Sequence, residues 1–135
     1  MEQGIPESIA VLMVEDNPMD VLLTTEILAE SEKIAYEVSR VKNGAEALAF
    51  LHKMNGYPDA PQPDLILLDL NLPKMNGFDF LAEMRQDKDL SNIPVIVLTT
   101  SEVRTDIDRA KELGVSGYLV KPIDLEKFES ILLSQ

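Results

Sequence analysis

A chain of 135 residues, 45% hydrophobic and 27% charged, carries enough apolar material for one core and too little length for two. Its formal net charge of −12 argues against binding a DNA or RNA backbone, an affinity that clustered Lys and Arg supply. With no cysteine there are no disulfides or thiolate metal sites, and no segment has the length of a membrane span or the pattern of a secretory signal. A cytoplasmic protein folding as a single domain over 1–135 is expected.

Residues 1–7 read as a flexible lead-in. A first strand is expected at 9–14, Ile9-Ala10-Val11-Leu12-Met13-Val14, which runs directly into Glu15-Asp16. Asn17 then caps a helix that opens on Pro18 and extends to about 30; a capping asparagine followed by proline satisfies the first free amides and presets the backbone. A second strand at 35–41 alternates polar and apolar residues, Tyr36-Glu37-Val38-Ser39-Arg40-Val41, as an edge strand does. A helix from 44 to about 54 follows, with Ala45, Leu48, Ala49 and Leu51 on one side. Residues 55–63 hold three prolines in nine and read as a surface loop.

The third strand, 64–69, carries Leu65-Ile66-Leu67-Leu68 and ends on Asp69. After it come a helix at 78–85, a strand at 93–98 followed by Thr99, and a helix at 103–113 closed by Gly114. That helix has only a thin apolar stripe, Val103, Ile107, Ala110 and Leu113. A strand at 116–120 leads into Lys121-Pro122, and Asp124 caps a last helix bearing Leu125, Phe128, Ile131 and Leu132.

Five strands alternating with five helices imply right-handed crossovers and a parallel sheet covered on both faces, a doubly wound α/β fold. The runs at 9–14, 64–69 and 93–98 are apolar throughout and belong in the centre. The order 2-1-3-4-5 follows, with a crevice between strands 1 and 3 where the winding reverses. Glu15, Asp16 and Asp69 end those two strands. Like charges about 4 Å apart repel by roughly 4 kcal/mol at an effective dielectric of about 20, so the three acids together call for a cation. An all-oxygen set with few protein ligands favours magnesium, which keeps several waters and shares phosphate oxygens. Thr99 and Lys121, ending strands 4 and 5, add a hydroxyl and a point charge suited to a phosphate. A cis bond at Lys121-Pro122 would fix where the ammonium points, though the isomer is not legible in the sequence. Taken alone, Asp69 is equally explained by pairing with a lysine; the three strand ends together are not.

These residues resemble the receiver domain of two-component response regulators over nearly the whole chain. The matching pieces are Val14-Glu15-Asp16-Asn17, Leu68-Asp69-Leu70-Asn71-Leu72-Pro73-Lys74-Met75-Asn76-Gly77, Leu98-Thr99-Thr100 and Lys121-Pro122. The resemblance implies a flavodoxin-like fold in which Asp69 accepts a phosphoryl group from a histidine kinase or phosphotransfer protein. Asp16, Asp69 and the Asn71 carbonyl would bind Mg2+, Glu15 would act through a metal-bound water, and Thr99 and Lys121 would contact the phosphoryl oxygens. Tyr118 matches the family's switch aromatic, which turns inward as Thr99 moves. Asn71 and Ser101 flank the site and bear on the lifetime of the acyl phosphate, and Thr100 stands where many receivers have alanine. The Pro-rich loop and the sequence around Leu70-Asn71-Leu72-Pro73 resemble single-domain receivers associated with phytochrome kinases. Output is then expected through protein contacts on the face of helix 4, strand 5 and helix 5, to a downstream target or a homodimer, with no nucleic acid or membrane as partner.

Three other readings compete. A haloacid-dehalogenase-type phosphatase wants a second Asp where Asn71 stands. A receiver that works only as a binding module usually lacks one of the acids, the Thr or the Lys, all present here. A nucleotide or flavin carrier needs a phosphate-cradling loop where Glu15-Asp16-Asn17-Pro18 stands. The lone His52 reads as a helix-surface residue, and Met54, Met75 and Met84 as fillers of gaps in the packing.

Overall fold

The computed structural model describes residues 8–54, 56–73 and 75–134; the expected lead-in at 1–7 lies outside them, as does Asn55 of the Pro-rich loop. The elements are β1 Ser8–Val14, α1 Pro18–Ala29, β2 Ala35–Val41, α2 Gly44–Leu51, β3 Leu65–Leu68, α3 Gly77–Gln86, β4 Val95–Thr99, α4 Arg104–Glu112, β5 Gly117–Val120 and α5 Leu125–Leu133. All four strand pairings are parallel and the order is β2-β1-β3-β4-β5, as the pattern of apolar runs predicts.

The alternation of side chains along each strand sorts the core into two layers. Leu12, Val14, Ile66, Leu68, Val95 and Val97 pack with Phe50, Phe80, Leu81 and Met84 of α2 and α3. Val11, Met13, Leu65, Leu67 and Ile96 pack on the other face with Leu28 of α1 and Phe128 of α5. Burying each such side chain contributes about 1.5–3 kcal/mol, which is why the central strands have almost no freedom of register.

Helix starts follow the caps. Asn17 accepts from the amides of Met19 and Asp20, Asn43 from Glu46, Asn76 from Asp79 and Asp124 from Lys127. The Glu46 carboxylate also accepts from the Lys42 amide, one residue before the cap, at 2.9 Å. α4 differs: its N-cap is Val103, which makes no side-chain cap bond. Val103 itself is 56% exposed, so the apolar stripe expected on this helix shrinks to Ile107, Ala110 and Leu113.

Three expectations shift. α2 ends at Leu51 rather than near 54, because His52 is its C-cap and Lys53 takes a left-handed backbone, φ 59. Met54 is exposed in consequence and fills no gap, whereas Met84 is fully buried. β4 begins at Val95, two residues late, after Pro94, which has no amide to give the ladder yet accepts from Ile66 at 3.0 Å. In the loop that follows α2, Tyr57 sits against Phe50 with ring centroids 5.4 Å apart, so the segment is anchored on the core. His52 faces Asp87 across 3.3 Å at the helix ends.

Candidate functional site

The carboxyl ends of β1, β3, β4 and β5 bring their groups to one place, two acids from β1 and one group from each of the others. β1 and β3 are neighbours, so Glu15 and Asp69, one residue past each strand, stand side by side with their amides bonded to Val41 and Val14 carbonyls at 3.0 and 3.1 Å. Both are buried, at 4% and 6% exposure, while Asp16 is exposed. One oxygen from each of Glu15, Asp16 and Asp69 lies within 4.8 Å of the others. Holding two buried anions this close to each other and to a third at the surface is costly without a cation.

Lys121, which directly follows β5 and precedes a cis bond to Pro122, supplies part of the positive charge. Its Nζ lies 2.6 Å from Glu15 Oε1, 2.8 Å from Asp20 Oδ2 and 3.1 Å from Asp69 Oδ2. Thr99, wholly buried, donates its hydroxyl to Asp69 Oδ1 at 2.9 Å, and the Asn71 amide donates to the same oxygen at 3.1 Å. Asp69 is therefore gripped on both oxygens. Desolvation pushes the Glu15 carboxyl above its ordinary range, against the pull of the Lys121 and Asn17 hydrogen bonds, and the charge on Asp69 pushes it further. For Lys121 desolvation works against the ammonium, but hydrogen bonds to Asp20, Glu15 and Asp69 outweigh it and hold the group protonated well above its ordinary value.

The all-oxygen set fits a hard divalent cation. The acids outnumber the one ammonium, and a cation at Glu15, Asp16 and Asp69 would offset the surplus.

A line of contacts leads away from the pocket. Two residues past Thr99, the Ser101 carbonyl accepts the Tyr118 hydroxyl at 3.0 Å, and the Ser101 hydroxyl donates to Asp106 in the first turn of α4 at 2.7 Å. Tyr118 is half-buried against the core layer that includes Ala110 of α4, and burial raises its phenol above the ordinary range. Thr99 thus stands within reach of Asp69 and Tyr118 is turned in toward the β4-α4 connection in the same structure. Thr100 is exposed, and the Ser101 side chain is turned to α4.

The structure brings together Glu15, Asp16, Asp69, Asn71, Thr99 and Lys121, and adds residues that the sequence did not single out. Asp20 reads locally as a first-turn acid favoured by the helix dipole; its lysine partner is 101 positions away. Arg40, at the end of the edge strand, donates to the Glu15 carbonyl at 2.8 Å and the Asp16 carbonyl at 3.1 Å, pinning the loop that carries both acids. Two glycines hold the other side. A Cβ on Gly77 would stand 2.7 Å from Leu70 Cα and 2.8 Å from the Asp69 carbonyl, and one on Gly44 would stand 2.9 Å from the Met75 carbonyl. α2 and α3 thereby press directly on the segment after Asp69.

A five-stranded parallel sheet with this acid, threonine and lysine set at its carboxyl edge is the arrangement of a receiver domain. The response regulator receiver domain model matches residues 11–133, and the chain belongs to that family. Response regulator Rcp1 of Synechocystis sp. is 45% identical over 116 residues, 86% of this chain and 78% of that protein. The solved Mn(2+)-bound form of Rcp1 is 43% identical with a TM-score of 0.78, covering 91% of this chain and 88% of its own. The phosphorylated cyanobacterial phytochrome response regulator RcpA is 42% identical with a TM-score of 0.79, covering 94% and 90%. The chain is thus similar to phytochrome-associated response regulators, as the sequence after Asp69 suggests. No helix among the described residues is long and apolar enough to cross a membrane.

Proposed function

We propose that this protein is a phosphorylation-dependent switch in which Asp69 accepts a phosphoryl group from a sensor histidine kinase or phosphotransfer protein, with Mg2+ as the cation. The observation that carries the reading is the double grip on Asp69, Thr99 on one oxygen and Lys121 on the other, beside an acid cluster of cation-binding size. The Mn(2+)-bound Rcp1 and phosphorylated RcpA structures support it as relatives. The reading takes residues 1–135 as one receiver unit acting in the cytoplasm.

Phosphoryl transfer leaves little covalent work to a protein; it asks for position and neutralised charge. An Asp69 oxygen attacks phosphorus as the donor's bond to phosphorus breaks, giving an acyl phosphate. Lys121 and the Thr99 hydroxyl, which now hold the carboxylate, turn to the phosphoryl oxygens. Asp16, Asp69 and the Asn71 carbonyl would hold Mg2+, with Glu15 acting through a metal-bound water, and the ion when bound supplies positive charge to the phosphoryl oxygens. Hydrolysis returns Asp69 to the carboxylate, so the protein catalyses only its own phosphorylation and dephosphorylation.

Movement of Thr99 is passed along the β4-α4 connection through Ser101 to Tyr118 and to α4, the helix without a side-chain cap. A weakly anchored element beside the site suits a two-state output read by a protein partner. On α1, the row Met19, Leu22 and Leu23 is exposed beside the pocket and offers an apolar surface to the donor protein.

The test is intact mass after incubation with acetyl phosphate, with and without magnesium, for the wild type and Asp69→Asn. One hydroxylamine-labile phosphoryl, dependent on magnesium and lost in the variant, is expected. Equal phosphorylation of the variant would overturn the assignment.

A further inference from the structure

Lys121 has three N–H donors, and each has a carboxylate within reach: Glu15, Asp20 and Asp69 at 2.6, 2.8 and 3.1 Å. Two of these acids serve twice, because Glu15 and Asp69 also belong to the cluster sized for a cation, while Asp20 does not. Asp69 in addition loses its carboxylate charge when it becomes an acyl phosphate. Asp20 is therefore the one partner of Lys121 that neither a cation nor a phosphoryl group draws upon. It is also well seated for holding a side chain in place. Its own amide donates to Asn17 Oδ1 at 3.3 Å in the first turn of α1, and its side chain is 34% exposed where the side chains of Glu15 and Asp69 are 6% and 7%, so it holds the ammonium from the rim of the cluster.

We propose that Asp20 is a positioning residue for phosphoryl transfer, anchoring the Lys121 ammonium to α1 while Glu15 and Asp69 serve the cation and the phosphoryl group. This deepens the reading of Asp69 as acceptor and rests on it. In the transfer from acetyl phosphate, an Asp69 oxygen forms a bond to phosphorus, the bond from phosphorus to the acetyl oxygen breaks with its electron pair, and acetate leaves. No proton changes hands, and Lys121 remains an ammonium that only donates hydrogen bonds. A lysine is a point charge on a flexible four-carbon stem. Without a fixed partner its ammonium samples positions from which it does not reach the phosphoryl oxygen, and such misplacement is paid in rate.

The proposal is tested with Asp20→Ala, Asp20→Asn and Asp20→Glu, each in the wild-type and Lys121→Met backgrounds. Asp20→Ala is expected to lower kcat for phosphorylation by acetyl phosphate about five- to tenfold at saturating magnesium, with KM changed by less than about twofold. Asp20→Asn keeps an acceptor oxygen without the charge and falls between Ala and wild type; it also covers the case in which Ala loosens the helix start. Asp20→Glu restores most of the rate. Magnesium affinity by calorimetry stays within about twofold, and in Lys121→Met protein the Asp20 substitutions have no further effect, the mark of action through one partner. A second readout needs no phosphorylation: the Lys121 ammonium in 15N NMR spectra of the magnesium-loaded protein is ordered in the wild type and loses order in Asp20→Ala. An unchanged rate, an equal loss in the Lys121→Met background, a tenfold shift in magnesium affinity or an ammonium equally ordered without Asp20 would each overturn the proposal. If the wild type takes no phosphoryl group, the reading of Asp69 fails instead, and the NMR comparison still decides whether Asp20 holds Lys121.

Discussion

Carboxylates are buried at both ends of this sheet, and they are satisfied in opposite ways. Near the amino end of β2, Glu129 of α5 is 5% exposed and takes the Ser31 hydroxyl at 2.5 Å and the Tyr36 hydroxyl at 2.8 Å. At the carboxyl ends of β1 and β3, Glu15 and Asp69 are as deeply buried, yet they share one ammonium with Asp20. The first arrangement joins α5 to β2 and the α1-β2 turn through neutral donors, and Tyr36 closes it by packing on Phe128 with centroids 5.8 Å apart. The second leaves negative charge uncompensated. A buried acid held by two neutral hydroxyls is a joint; several acids competing for one ammonium form a place for chemistry.

The largest expected effect separates the two ends directly. Asp69→Asn removes the phosphoryl gain entirely, while Glu129→Gln leaves phosphorylation by acetyl phosphate within about twofold and lowers stability by about 1–3 kcal/mol, since a neutral amide oxygen accepts the two hydroxyls more weakly than a carboxylate does. Mass spectrometry and urea titration of the pair would break the contrast if Glu129→Gln abolished phosphorylation. Next in size, the proposed role of Glu15 beside the cation predicts that Glu15→Gln weakens magnesium affinity about tenfold or more, read by calorimetry. That variant also carries a pH signature in metal-free protein. The Glu15 carboxyl is raised in the fold above its ordinary 4.5, so the folded state holds the proton more tightly. The resulting stabilisation is fully present below pH 4.5 and is lost as pH climbs through the raised value. Denaturation in chelator should show wild type and Glu15→Gln diverging across that window, and parallel curves would refute the burial argument.

Smaller still, Tyr36→Phe takes one donor from Glu129 and costs about 1 kcal/mol. Burial first, then the bond to Glu129 and its charge, raise the Tyr36 phenol above its ordinary 10.0. Its stabilising share is complete below pH 10.0 and lost above it, so the variant should flatten the alkaline limb of the stability curve. The smallest effect on the fold is that of Leu22→Glu, within about 0.5 kcal/mol on an exposed helix face. Phosphotransfer from a protein donor should nevertheless slow, with the acetyl phosphate rate unchanged; equal rates from both donors would remove α1 from the donor's surface.

The strand order and the strand-end acids were legible because both follow from local pattern: all-apolar runs must be central, and a charge ending such a run has few explanations. Asn17 with Pro18 and Asp124 were legible as caps for the same local reason. Asp20, Arg40 and Glu129 were not. Each looks like an ordinary solvated residue of its own element, and its role exists only through partners brought in from elsewhere: Lys121 for Asp20, the Glu15 and Asp16 carbonyls for Arg40, Ser31 and Tyr36 for Glu129. Helix ends failed where the terminator was a backbone event, as at Lys53, rather than a recognisable residue. Val103 fitted the apolar period of α4 but serves as its N-cap, outside the packed stripe.

The two glycines against the segment after Asp69 bear on how this protein can vary. Neither Gly44 nor Gly77 carries a charge, a proton or a ligand atom on a side chain, yet the first carbon of any replacement would overlap the Met75 carbonyl at one and the Leu70 backbone at the other. In a mutational scan scored by phosphorylation, both positions should therefore be as intolerant as the acids, to alanine as much as to tryptophan. The tolerance map of the molecule would then outline the walls of the site as well as its reacting groups.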